Sequence, residues 1–145
     1  MAFRRKGKEA KVRLLAGVDL FGGCSKSELS RVAALVDEID VPAGKELTRE
    51  GESGWEFFVI AEGNARATRN GRRIASFGPG SFFGEMALLD QGPRSATVSA
   101  ETDMQLLVLT SRGFFTLVDD TPSVARKVLA GMAERLRAAE RAPTH

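Results

Sequence analysis

Apolar positions along this chain follow two different periods. From about Asp37 to Leu109, short apolar runs are separated by glycine-rich turns. The turns are Pro42-Ala43-Gly44, Gly51-Glu52-Ser53-Gly54, Glu62-Gly63-Asn64, Asn70-Gly71, Gly78-Pro79-Gly80 and Gln91-Gly92-Pro93. A turn every ~8–12 residues is the mark of a compact all-β sandwich or barrel. Strands are expected over 38–41, 45–49, 56–61, 64–69, 72–77, 95–100 and 104–109. Ala96, Val98 and Ala100 alternate with Ser95, Thr97 and Ser99, as a half-buried strand requires. Asn70-Gly71 is the strongest hairpin signal, because a type I′ turn needs φ > 0 at both central residues.

Outside this stretch the period is helical. A short helix is expected over 8–16, ending near Gly17. Ser25-Lys26-Ser27-Glu28 forms a capping box, and the helix it opens turns Leu29, Val32, Ala33, Leu35 and Val36 toward a core. After the strands, Ser111–Val118 reads as a helix with Phe114, Phe115 and Val118 inward. Thr121 as N-cap and Pro122 at the first helical position open a last helix running to about Arg141. Its apolar stripe is Val124, Val128, Leu129, Met132, Leu136 and Ala139.

Composition narrows the chemistry. At 145 residues with 43% hydrophobic and 28% charged side chains, the chain is one globular domain. It divides into a basic leader (1–17), a helix plus β-region (18–110) and C-terminal helices (111–142). The single cysteine, Cys24, excludes an internal disulfide and reads as a small turn residue. The single histidine, His145, removes most zinc, copper and non-haem iron chemistry together with Ser/His and Cys/His catalysis. No secretory signal or transmembrane span is read in the sequence, so a cytoplasmic location is expected. The first thirteen residues carry six basic side chains against Glu9; this is read as a solvated leader helix, with an anionic partner as the alternative.

The informative stretch runs from Gly80 to Val98. A strand ends at Gly84, a single helical turn Glu85–Leu89 follows, and Arg94 opens the next strand. Free N–H groups at the start of such a turn can face an anion, and Gly84 lets the backbone approach it. Arg94 offers a planar fork to the same anion. Glu85 is an acceptor only, suited to a sugar hydroxyl rather than a phosphate. An arginine-plus-amide anion site beside a carboxylate describes a pocket for a sugar phosphate.

Gly84-Glu85-x-Ala87-Leu88 followed by Pro93-Arg94-Ser95-Ala96-Thr97-Val98 resembles the phosphate-binding cassette of the cyclic nucleotide-binding domain family. Bacterial catabolite activators, protein kinase A regulatory subunits and cyclic-nucleotide-gated channels belong to that family. Gly51-Glu52 and Phe57-Phe58-Val59-Ile60-x-x-Gly63 resemble its early strands, and the likeness spans roughly 18–141. The resemblance implies an eight-stranded, jelly-roll-like β-roll, mainly β, with helices before it and two after it.

It also implies roles. Arg94 would pair with the cyclic phosphate and Glu85 would accept from the ribose 2′-OH. Backbone N–H groups of Met86, Ala87 and Ala96 would join the phosphate site. Ser95 would tune purine choice, and Ser76 and Phe77 would flank the pocket. Phe77, Phe82 and Phe83 are core or pocket wall rather than base-stacking groups. The last helix would close as a lid, with Leu129, Met132 and Leu136 against the purine.

Two departures are visible. The chain stops soon after the last helix, where catabolite-type regulators continue into a helix-turn-helix, so no DNA-binding domain is expected. Ala139 and Glu140 stand where those regulators carry a Thr-Ser pair that contacts adenine. The expected function is a free-standing, non-enzymatic cyclic AMP sensor or buffer, monomeric or weakly dimeric, acting on an effector protein. It needs no metal or cofactor. A cyclic GMP binder, a degenerate β-roll that serves as an interaction module, and an enzyme are the alternatives.

Overall fold

The computed structural model describes residues 3–90 and 92–141; the readings for His145, Ala142 and Gln91 lie outside them. The described residues form helices α1 (Lys8–Ala16) and α2 (Lys26–Leu35), strands β1 (Asp37–Val41), β2 (Glu46–Thr48), β3 (Glu56–Glu62), β4 (Ala65–Arg69), β5 (Arg72–Phe77), β6 (Phe82–Phe83), β7 (Thr97–Ala100) and β8 (Met104–Thr110), and helices α3 (Ser111–Asp120) and α4 (Pro122–Arg141). Short 3-10 turns lie at Asp19–Phe21 and Glu85–Leu88. The strands make two antiparallel sheets, in the orders β1-β8-β3-β6 and β2-β7-β4-β5. This is the eight-stranded β-roll with flanking helices. The two-residue β6 has no signal of its own in the sequence; it forms because Phe82 and Phe83 pair with Val59 and Phe58.

The apolar runs in β3 and β8 are continuous because both faces of these strands are covered. Phe57, Val59, Leu107 and Leu109 pack with α1, α2, α3 and α4. Their neighbours Phe58, Ile60, Leu106 and Val108 fill the interior of the roll with Val98, Ala100 and Phe83. Such fully buried side chains each contribute about 1.5–3 kcal/mol by removal from water. The Asn70-Gly71 turn has φ of 52° and 77°, so the β4–β5 hairpin forms as its sequence directs.

The capping box is complete. Glu28 N–H donates to Ser25 Oγ (3.2 Å), and Ser25 N–H donates to Glu28 Oε1 (2.8 Å). The Glu28 carboxylate also accepts from Ser123 Oγ and, at 2.5 Å, from Lys127 Nζ, both on α4. The Lys127 and Ser123 hydrogen bonds, with that from Ser25, pull its pKa down to about 2. A helix cap thus also anchors the start of α4.

Four expectations need correcting. Phe115 is 51% exposed, and Leu117 takes the inward place beside Phe114, because α3 meets the core along the line Ser111, Phe114, Leu117. Thr121 precedes Pro122, but its buried hydroxyl has no partner and so supplies no cap. The strand expected over 95–100 starts at Thr97. Finally, the basic leader is not a solvated helix throughout. Residues 3–6 lie along β1, where Arg5 pairs with Asp40, Lys6 N–H donates to Glu38 Oε1 (2.7 Å), and Lys6 Nζ faces Glu62 (3.4 Å). Acidic side chains on the sheet neutralise part of the arm.

Candidate functional site

Gly84 ends β6 with φ 82°, a left-handed conformation that glycine adopts without strain. The turn Glu85–Leu88 starts there and is closed by Ala87 N–H to Gly84 O (3.1 Å) and Leu89 N–H to Met86 O (3.1 Å). The Ala87 amide, expected to face an anion, is therefore engaged within the turn. Ala87 and Leu88 are buried and fix the turn to the core, while Met86 is 60% exposed.

Arg94 enters the site from the opposite side. Its backbone is laddered to the Gly51–Gly54 turn: Arg94 N–H donates to Glu52 O (2.8 Å), and Gly51 N–H donates to Arg94 O (2.9 Å). Its side chain is 10% exposed. Nη2 donates to Glu56 O (2.9 Å) and stands 4.0 Å from the Glu56 carboxylate. Burial lowers the Arg94 pKa, opposed by the Glu56 and Glu85 charges, and an arginine so placed stays cationic.

Among the described residues, three cavities border this arginine, and two of them are also lined by Glu85 and Ser95. One of about 270 Å³ is lined by Gly84, Glu85, Met86, Ala87, Arg94 and Ser95, with Asp90, Gly92 and Pro93. The other, about 210 Å³, lies inside the roll mouth and shares Gly84, Glu85, Arg94 and Ser95. It adds Ala96 just before β7, Arg69, Ile74, Phe77 and Phe82 from the strands and Arg135 from α4. All seven cassette residues expected from the sequence therefore border one or both cavities. Their chemistry is a fixed cation beside a carboxylate acceptor with an apolar wall next to it, which suits a ligand combining an anion, hydroxyls and a flat apolar ring.

Residues 38–121 match the model of the cyclic nucleotide-binding domain. The chain belongs to that family. A cyclic nucleotide-gated potassium channel of Mesorhizobium japonicum is 40% identical over 128 residues, which cover 88% of this chain and 35% of the channel. The cyclic AMP receptor protein of Thermus thermophilus is 34% identical over 131 residues, 87% of this chain and 61% of that protein. The N-terminal domain of a Streptomyces coelicolor transcriptional regulator superposes with a TM-score of 0.80 at 31% identity, covering 91% of this chain and 98% of that one. The chain thus spans about three fifths of one of these curated relatives and about a third of the other. Cyclic nucleotide-binding domains are ligand-binding regulatory modules. Among the described residues no cluster of His, Cys, Asp and Glu could hold a metal, and no helix is long and apolar enough to cross a membrane.

The flanking positions divide. Phe77 lines the inner cavity, and Phe83 is buried in the roll core beside it. Ser76 borders a separate surface cavity with Asn64, Gly78, Glu101 and Thr102. On α4, Leu129 and Leu136 are 49% and 64% exposed, and Met132 packs against the helical core. None of the three lines the cavities at Arg94. The α4 residue that does is Arg135. Its Nη2 stands 3.7 Å from Glu85 Oε1, and its guanidinium lies 4.5 Å from the centre of the Phe82 ring. Helical spacing marks an apolar stripe and passes over the arginine between its members, so Arg135 carried no signal as a pocket residue.

Proposed function

We propose that this domain binds a cyclic nucleotide, cyclic AMP in preference to cyclic GMP, and passes its occupancy to an effector protein. One observation carries the reading: a guanidinium held almost out of solvent by backbone, with the Gly84–Ala87 turn and the Glu85 carboxylate facing the same space. Arg94 neutralises the cyclic phosphate through charge-assisted hydrogen bonds. Glu85 accepts from the ribose 2′-OH, which it shares with Arg135. The base lies against Ile74, Ala75 and Phe77 in the inner cavity. The Thermus relative, named as a cyclic AMP receptor protein, supports the choice of ligand.

α4 is the output element in this reading. It reaches the ligand through Arg135 rather than through leucine contacts, and its start is anchored by Glu28. Binding favours the arrangement in which Arg135 and Glu85 both meet the ribose side of the pocket. Calorimetry of the purified protein with cyclic AMP, cyclic GMP and 5′-AMP tests the proposal. Cyclic AMP should bind most tightly and 5′-AMP least. No heat with either cyclic nucleotide would leave the fold as an interaction module, and turnover of the ligand would make it an enzyme.

A further inference from the structure

Gly54 carries no backbone reason to be glycine. Gly51, three residues earlier, has φ 84°, but Gly54 lies outside the left-handed region, so its backbone accepts any side chain. The reason lies across the turn. A Cβ on Gly54 would overlap Nε, Cζ and Nη2 of Arg94. At the other end of the fork, a Cβ on Gly84 would stand 2.8 Å from Arg94 Nη1 and 2.8 Å from Glu56 O. The guanidinium is thus laid between two bare backbone segments, with Nη2 pinned to Glu56 O at 2.9 Å. The Ser53–Pro93 bridge and the Arg94 N–H to Glu52 O bond hold this turn in register with the arginine.

We infer that Gly54 is the positioning residue for Arg94: its missing side chain forms the seat that aims the guanidinium fork at the anion. The inference rests on the reading of Arg94 as the phosphate partner. A planar guanidinium gains from preorganisation because its N–H directions are fixed relative to one another, so holding one edge aims the donors that remain. With Nη2 spent on Glu56 O and the Nε edge against Gly54, the fork has one orientation, and Nη1 faces the cassette turn. A methyl group at position 54 evicts the guanidinium from that plane without touching the ligand, Glu85 or the cassette backbone. Gly84 lies within the cassette motif itself, whereas Gly54 lies thirty residues before it and does not border the 270 Å³ cavity.

Four proteins test this: wild type, Gly54→Ala, Arg94→Ala and the double variant, each as the full chain. Two quantities are read, cyclic AMP affinity by calorimetry and the melting temperature without ligand. Gly54→Ala should weaken binding by about 10-fold or more, since a misdirected charge-assisted bond loses most of its value. It should also melt below wild type, whereas the double variant should melt with Arg94→Ala, because removing the guanidinium vacates the space that the new methyl needs. If Gly54→Ala does not fold, recovery of folding in the double variant supports the seat in the same way. Wild-type affinity in Gly54→Ala overturns the inference, as does a methyl at 54 that costs as much stability in the Arg94→Ala background as in wild type. Should wild-type protein take up no cyclic nucleotide, the proposed ligand falls, and the melting cycle alone still decides whether Gly54 seats Arg94.

Discussion

The cassette and the far half of α4 both border the candidate site, and they are built in opposite ways. Around Arg94 the walls are backbone. Glu56 O, the Gly51–Gly54 turn and the Gly84 turn hold the arginine, and its side chain is 10% exposed. The far half of α4 touches the site through one residue, Arg135, which pairs with Glu85 and lies over the Phe82 ring, and it shows Leu136 to solvent. The near half is different again, with Val124 and Val128 fully buried and Ser123 and Lys127 on the Glu28 carboxylate. A site with one rigid wall and one lightly held wall can bind firmly and still report binding, because the ligand has something to move.

The sharpest way to break this comparison is at Arg94. Arg94→Ala should weaken cyclic AMP binding by at least about 10-fold, from the loss of charge-assisted hydrogen bonds. Calorimetry reads it directly. A larger loss from Arg135→Ala than from Arg94→Ala would reverse the roles of the two walls.

Next in size is Glu85. Wild-type protein should discriminate against 2′-deoxy cyclic AMP, because a partly buried acceptor is then left without its donor. Glu85→Ala should bind the ribo and deoxy ligands alike. Equal wild-type affinity for both would remove Glu85 from ribose recognition and leave it as a partner for Arg135 alone.

Arg135→Ala should have a smaller effect on affinity, because the Arg135 side chain is about half exposed and pairs screened by solvent contribute only about 0–1 kcal/mol. Its larger effect should be on motion. Amide hydrogen exchange in wild type should slow on adding cyclic AMP in both 84–96 and 128–137, and in Arg135→Ala only in the cassette. Protection confined to the cassette in wild type would show that α4 does not close.

The smallest effect concerns the anchor at the near end of α4. The Glu28 pKa is lowered from an ordinary 4.5 to about 2 by its hydrogen bonds to Lys127, Ser123 and Ser25. A carboxylate with a depressed folded-state pKa contributes stability that is fully present above the unfolded value and is lost as pH falls toward the folded one. Glu28→Gln should therefore melt below wild type at neutral pH, and the gap should close as pH falls from 4.5 to about 2. A gap independent of pH would mean that packing, not charge, holds α4 to α2.

Much of this molecule was legible in the residues alone. Local rules acted without opposition at Ser25 and Glu28, at Asn70-Gly71 and along the α2 stripe of Leu29, Val32, Ala33 and Val36, where capping, positive φ and burial agree. The cassette was legible because its parts are close in sequence: Gly84 to Arg94 is one short segment, and its spacing is set by one turn. What lies beyond reach of such rules involves partners far apart along the chain. β6 exists because β3 is beside it. Phe115 faces solvent because the core meets α3 along a neighbouring line. The leader lies on β1 because Asp40, Glu38 and Glu62 happen to be there. The same holds for two residues beside the candidate site. Arg135 reaches Glu85 across fifty residues, and Gly54 makes room for Arg94 across forty. The sequence by itself determined the fold and which residues make up the candidate site, because hydrophobic period and turn chemistry are local. Only the tertiary structure decided which backbone lies against Arg94 and which α4 side chain borders the pocket, because contact between distant residues depends on how the sheets and helices pack.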